Sequence, residues 1–290
     1  MKKILWFLTI LLLLPILVFA DDGVEKYYIN ATIEANGDLV VEEYFTLSGT
    51  YNGYERKINY TNLKATLFNP NATSFGGSSV HNGTGIELIT IGSASLNFNG
   101  NFNSLNIDAF EVTTSASKGT YGVYVNTATN KGDNVLIYNP SKKNRAFYLK
   151  YRLKNMAILY NDVGEIGWNA VGSEFTEDID YLHITLNVPG NTGELKAWAH
   201  GPLNGLVTVD SSEKATFTIT NLSSYTAIDI RSTFSPSVIA SSPKKYNINA
   251  LDKILTYENI QAEKANEERR QNEAVNQEAA LRYLNIFKND

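Results

Sequence analysis

The sequence predicts an all-β fold, an antiparallel β-sandwich over residues 21–240, followed by a long C-terminal α-helix within residues 241–290. Three observations predict it. Apolar residues alternate with polar ones at period two from residue 21 to about residue 240. Clusters of Gly, Asn and Ser interrupt that alternation at short intervals, and no helical segments come between the strands. After residue 243 there is no Gly or Pro, and Ala, Glu, Gln, Asn and Arg take over.

Each element has its own signal. In "YYINATI", Tyr27, Ile29, Ala31 and Ile33 share one face, and Asn36-Gly37 supplies the positive φ angles of a tight hairpin. "LVVEEYFTL" then returns with Leu39, Val41, Phe45 and Leu47 on one face. Further strands are expected at 85–92, 94–98, 110–114, 121–125, 134–138, 146–153, 181–188, 196–199, 215–219 and 227–234. Residues 68–85, "FNPNATSFGGSSVHNGTG", read as a long exposed loop. "SSPKK" reads as a linker, and Asn249 with Asp252 resembles a helix N-cap. Leu251, Ile254, Leu255 and Ile260 give the helix one apolar stripe; Leu281, Leu284 and Phe287 give a second. Between them the helix is polar nearly all round, which suggests a stalk.

The first residues give an address. Lys2 and Lys3 precede an apolar run from Ile4 to Ala20, with small residues at Val18 and Ala20 where a signal peptidase cuts. Residues 1–20 are therefore expected to be a signal peptide cleaved after Ala20, making the protein extracytoplasmic, either secreted or on the cell surface. The formal charge is −5 and becomes −7 once Lys2 and Lys3 are gone. An acidic surface repels phosphate backbones, so nucleic acid is not an expected partner. The absence of cysteine excludes disulfides, zinc–thiolate sites and a cysteine nucleophile. The composition, 43% hydrophobic, argues against disorder.

Several stretches in register carry a resemblance. "NGDLVVEEYFTLSGTYNGYERKI" is similar to the opening of the DUF2207 family, with its DGSL-V-E start and G-YR-I end. "IYNPSKKNRAFYLKYRLKN" and "DVGEIGWNAVGSEF" resemble that family's second block, and "ITLNVPG" and "AWAHGPLNG" continue it in order. The resemblance runs from about residue 27 to residue 236. It carries over the motif positions Asp162, Glu165, Trp168, Asn169, Gly172, His200 and Gly201. It implies a bacterial membrane-associated protein of uncharacterised function whose extracellular β domain precedes transmembrane helices. Gly167 and Phe175 depart from the larger aromatics usual there, the loop at 68–85 is expanded, and no second hydrophobic span precedes Asp290.

As chemistry, Glu43 falls on the apolar face of its strand, and Arg56 shares a face with Tyr54, Ile58 and Tyr60. A lone buried charge is costly, so the two are expected to form a buried salt bridge that fixes strand register. Trp168, between Ile166 and Ala170, is expected in the core. Asp162 and Glu165 are read as caps of the turn before that strand. Glu177, Asp178 and Asp180 are a weaker option for calcium. His183 is expected at the surface, His81 in the long loop, and His200 as the holder of a Gly/Pro turn and the one position for acid–base work. Trp198, Tyr51 and Tyr54, with Tyr121 and Tyr124, could stack on sugars. No nucleophile elbow, P-loop, dinucleotide fingerprint or zincin motif occurs. The expectation is a non-enzymatic interaction or structural domain of a cell-envelope protein, without cofactor or metal, touching its partner through sheet edges and the long loop. The partner would be an envelope protein or, alternatively, cell-wall glycan, with room for membrane association through a segment outside this chain; a glycan hydrolase ranks third.

Overall fold

The computed structural model describes residues 22–61, 69–76 and 82–288, the stretch 279–288 as helix backbone alone. The expected signal peptide, His81 and the side chains of Leu281, Leu284 and Phe287 lie outside the described residues. In chain order the strands are β1 (Gly23–Ile33), β2 (Leu39–Asn59), β3 (Gly85–Ala94), β4 (Ile107–Ala109), β5 (Glu111–Val112), β6 (Val123–Ala128) and β7 (Gly132–Lys154). They continue with β8 (Ile158–Leu159), β9 (Gly164–Val171), β10 (Ile179–Asn187), β11 (Lys196–His200), β12 (Leu206–Ser211), β13 (Lys214–Leu222) and β14 (Ile228–Phe234). One long helix, α1 (Leu251–Lys288), follows.

The chain is mostly β, in two sheets. The larger runs β12-β13-β10-β1-β2-β7-β3-β4, with β6 also on β7 and β5 on β6; the smaller runs β11-β14-β9-β8. The expectation of a purely antiparallel architecture is corrected: β1 pairs parallel with β10, and β5 with β6, so the large sheet is mixed. Period-two alternation reports which face a residue occupies, and a strand alternates alike whichever way it runs. Direction was therefore not in the pattern.

The two sheets share one core. Tyr27, Phe45 and Phe147 of the large sheet, with Leu182, Ile184 and Leu186 of its strand β10, are buried together with Ile166, Trp168, Ala170 and Ile230 of the small one. Several expected strands merge: 134–138 and 146–153 are parts of the single strand β7, and β2 runs unbroken past the expected end at residue 47. Residues 95–101 form a loop instead of the strand expected at 94–98; it lays Phe98 edge-on to Tyr28 and 4.5 Å from the Tyr44 ring.

The helix is not joined by a free linker. Leu159 donates its amide to the Lys244 carbonyl at 2.9 Å, Tyr246 donates to Leu159 at 2.9 Å, and Asn161 donates to Ile248 at 3.1 Å. Residues 242–248 thus lie along β8 as a fringe of the small sheet. A second, smaller core forms under the root of α1 from Phe75, Ile158, Tyr160, Val163, Ala250 and Ile254. Phe75 belongs to the stretch expected as an exposed loop, and its described part is folded in: Phe75 donates its amide to the Lys253 carbonyl at 3.0 Å. Among the described residues no helix is long and apolar enough to cross a membrane.

Candidate functional site

Two buried ionic clusters stand out, each built on one arginine. The first joins Glu43 and Arg56, which lie on the same strand, β2. Thirteen residues of extended chain span about 43 Å, so the pair can meet only because β2 curls back on itself. Register shifts at 47–50 and 51–53 produce the curl. Gly53 permits it: its φ is +150°, and a Cβ there would sit 2.0 Å from the Ile137 carbonyl oxygen. Arg56 then donates Nε to Glu43 at 2.9 Å and Nη2 at 2.8 Å, and also reaches the Ala170 carbonyl at 3.1 Å. Tyr27 and Tyr151 donate to the same carboxylate at 2.7 and 2.6 Å. Burial, with Glu43 adding to it, pushes both phenols well up, so they stay protonated and donating. The cluster ties β1, β2 and β7 to β9 across the core. It holds the bend within one strand, where the sequence had suggested that it fixes strand register.

The second cluster lies on the other side of the small sheet, under α1. Arg231 of β14 is 1% exposed. It donates Nε to Glu165 of β9 at 2.5 Å, and Nη1 to Glu258 of α1 at 2.8 Å and to the Phe75 carbonyl at 2.6 Å. The Tyr257 ring covers its guanidinium at 5.8 Å. His200 of β11 completes the cluster, with Nε2 3.2 Å from Glu258 Oε2. Five separate pieces of chain meet around this one arginine.

The expected roles change accordingly. Glu165 does not cap a turn; it is fully buried as the partner of Arg231. His200 does not hold its own Gly/Pro turn; it faces the helix. Asp162 does cap, but at a distance: its carboxylate accepts the amides of Ala250 at 2.8 Å and Leu251 at 3.2 Å, at the start of α1. That displaces Asn249, which is exposed, as the cap. A carboxylate placed there is worth about 1 kcal/mol to a helix. Trp168 is buried in the main core. Asn169 donates to Asp229 at 2.8 Å. Gly172 and Gly201 are tight positions, where a Cβ would meet Glu174 Oε2 at 2.9 Å and Ile228 Cδ1 at 2.7 Å.

The sugar-stacking set is not a row of exposed rings. Tyr54 is buried, while Tyr51, Tyr124 and Trp198 are half-buried against the two cores. Tyr121 is exposed and donates to Asp108. Glu177 accepts from Tyr54 at 2.9 Å and Asp178 from the Ser224 amide at 2.6 Å, so these acids diverge. Among the described residues no group of three His, Asp or Glu side chains could hold a metal ion. His183, expected at the surface, is half-buried beside Tyr28 and Tyr181, and burial lowers its pKa.

Sequence reasoning missed Arg231 and Glu258. Glu258 carried a signal: it follows Leu251 by seven residues and Ile254 by four, so it continues the apolar stripe onto the docked face. Arg231 carried less, because its strand face is buried only by the helix that comes later in the chain.

The two carboxylates around Arg231 titrate with opposite signs. Burial opposes charge on Glu258, but His200 and Arg231 outweigh it and hold its carboxyl below the ordinary range. Its contribution to stability is therefore present above the unfolded value of about 4.3 and is lost as pH falls through the folded value. Burial wins at Glu165 and raises its pKa, so protonating it as pH falls relieves a cost. Amide exchange in the first turns of α1 is expected to accelerate below about pH 4, and a Glu258→Gln variant is expected to lack that acid step. An acid step that survives unchanged in the variant would assign it to another group.

Beside this cluster, a hollow of about 700 Å³ opens between α1 and the ends of both sheets. Its floor is apolar: Leu182, Ile184, Phe217, Ile219 and Ile228. A second hollow, of about 710 Å³, lies on the other side of Trp198. The arrangement presents a paired histidine and carboxylate beside an apolar cleft.

The family model described as "Predicted membrane protein (DUF2207) N-terminal domain" matches residues 23–234. No curated protein matches the chain. Among solved structures, the chain is similar to native leukotriene A4 hydrolase from Saccharomyces cerevisiae, at 8% identity and a TM-score of 0.42, covering 74% of this chain and 30% of that one. It is also similar to an M1 zinc metallopeptidase from Deinococcus radiodurans, at 11% identity and a TM-score of 0.33, covering 73% of this chain and 44% of that one. The chain spans less than half the length of these structures.

Proposed function

The chain belongs to the DUF2207 family of predicted membrane proteins, and from that premise we propose that it works outside the cytoplasm as a non-catalytic interaction domain of the bacterial cell envelope. Signal cleavage after Ala20 would deliver it there. We read its two sheets as a β-sandwich and α1 as the arm that carries it. One observation supports this reading above the others. Asp162, Glu165 and His200, the polar motif positions nearest to chemistry, are all engaged in holding α1. Residues inside the family-matched span thus serve as a mount for a segment that lies beyond it.

The test is binding of the purified protein to isolated cell envelopes. Saturable binding that disappears when the envelopes are treated with protease is the expected result. No saturable binding by the folded protein would sink the reading. A second reading, a glycan-binding module, draws on Tyr28, Tyr181 and His183, half-buried rings grouped on the outer face of the large sheet at centroid spacings of 5.8 to 6.4 Å. Binding that resists protease, but is lost on digestion of the glycan and in Tyr28→Ala, would favour it.

A further inference from the structure

The inner face of α1 does not stay sealed against the β domain. Ile254 is 0% exposed and Glu258 1% exposed. Gln261 and Ala265 continue the same helix face at spacings of three and four, yet both are only half-buried. The helix is held on either side of this stretch, by Arg231 at Glu258 and by Arg269, which donates to the Leu203 carbonyl at 3.3 Å. Between those two ties, about 17 Å of helix bridges the hollow of about 700 Å³ without closing it. The floor is the end of the main core itself: Leu182, Ile184, Phe217, Ile219 and Ile228 line it, and all five belong to the core that the two sheets share. Folded interiors are close-packed, with few voids larger than a water molecule. A hollow of this volume, with apolar walls and a few polar groups, has the dimensions of a ligand site.

Access and charge select the occupant. Each floor residue is 6% exposed or less, so neither a bilayer surface nor a flat protein face reaches it; a single slender chain entering under α1 does. The charged side chains that line the hollow cancel, Glu258 and Glu268 against Lys264 and Arg269. Two of them are already engaged: Glu258 with Arg231, and Arg269 with the Leu203 carbonyl and the Asn266 side chain. A charged headgroup would give up hydration here for no net attraction. An uncharged one loses less, and the amides of Gln261 and Asn266 on α1 can both donate to and accept from its hydroxyls.

We propose that this hollow takes the hydrocarbon chain of a free, uncharged, single-chain amphiphile with a hydroxylated head, of the class of monoacylglycerols. The inference goes beyond the interaction-domain reading and does not depend on it. A chain lodged there would fill the gap between α1 and the ends of both sheets, and so steady the helix between its two ties.

The experiment uses the purified protein and a series of monoacylglycerols with chains of eight to fourteen carbons, each kept below its micelle-forming concentration. Affinity should rise about fourfold for each added methylene, the worth of burying one CH₂, and level off once the chain outgrows the hollow. A chain brominated near its end should quench Trp198, which lines the hollow, and Trp198→Phe should remove the quenching while binding persists. Both readings are made on folded protein with the hollow intact. Ala265→Trp, which fills the hollow from the helix side, should lower affinity about tenfold or more and leave envelope binding unchanged. A rise that runs unbroken through the series, with no quenching of Trp198, is surface adsorption and overturns the proposal. A fatty acid or an alkylammonium ion of equal chain length that binds tenfold tighter overturns the uncharged head. Binding to phosphatidylcholine vesicles without binding of the monomeric amphiphile overturns it in favour of a membrane-surface site. Amphiphile binding by a protein that ignores cell envelopes would sink the interaction domain and leave the hollow standing.

Discussion

Replacing Arg231 with methionine is expected to lower stability by about 3–5 kcal/mol, the usual cost of leaving a buried charge without its partner, and to release the root of α1 from the small sheet. Glu165 and Glu258 are each 1% exposed or less and would face one another with no cation between them. The Phe75 carbonyl would lose its donor as well. Urea denaturation reads the stability, and amide exchange over residues 250–262 reads the release. Glu165→Gln should be much milder, because Arg231 keeps Glu258 and the remaining pair is neutral. A loss below about 1 kcal/mol for Arg231→Met, the scale of an exposed ion pair, would mean that water reaches this cluster and that α1 is held by apolar contact alone.

The second large effect belongs to the core. Arg56→Met should also cost about 3–5 kcal/mol, since Glu43 would be left buried against two phenols that can offset only part of its desolvation. The double variant Glu43→Leu with Arg56→Met should recover much of that loss, because replacing both partners removes the stranded charge. The pair also holds the bend of β2. The double variant should therefore unfold with one transition yet exchange its amides around residues 47–53 faster than the parent. Unchanged exchange there would show that the Gly53 bulge alone sets the bend.

How far the sequence reaches can be seen in these same residues. The burial of Glu43 and Arg56 was legible, because parity along a strand assigns each side chain to a face whatever the strand pairs with. Their membership of one curled strand was not: the gap between residues 47 and 54 looked like a connection, and only a register shift keeps it in the ladder. The parallel pairing of β1 with β10 was equally hidden, since it joins residues about 150 positions apart and leaves the alternation unaltered. At the second cluster, Asp162, Glu165 and His200 could be singled out by type and motif. Their common purpose could not, because it is defined by a helix packed across the sheet from beyond the last strand. Glu258 shows what closer attention to helical spacing can still recover.

The joint at Arg231 has a mechanical consequence. A helix of 38 residues is about 57 Å long, and it is held at several points along its first half, among them the Asp162 carboxylate, the Phe75 amide, the Arg231 cluster and, further along, the Leu203 carbonyl, which accepts from Arg269. Anchors spaced along one rod resist tilt and twist together, where a single anchor would act as a swivel. A sideways load on the far part of α1 is therefore delivered as torque to β9, β11 and β14, and the β domain turns with its arm as one lever.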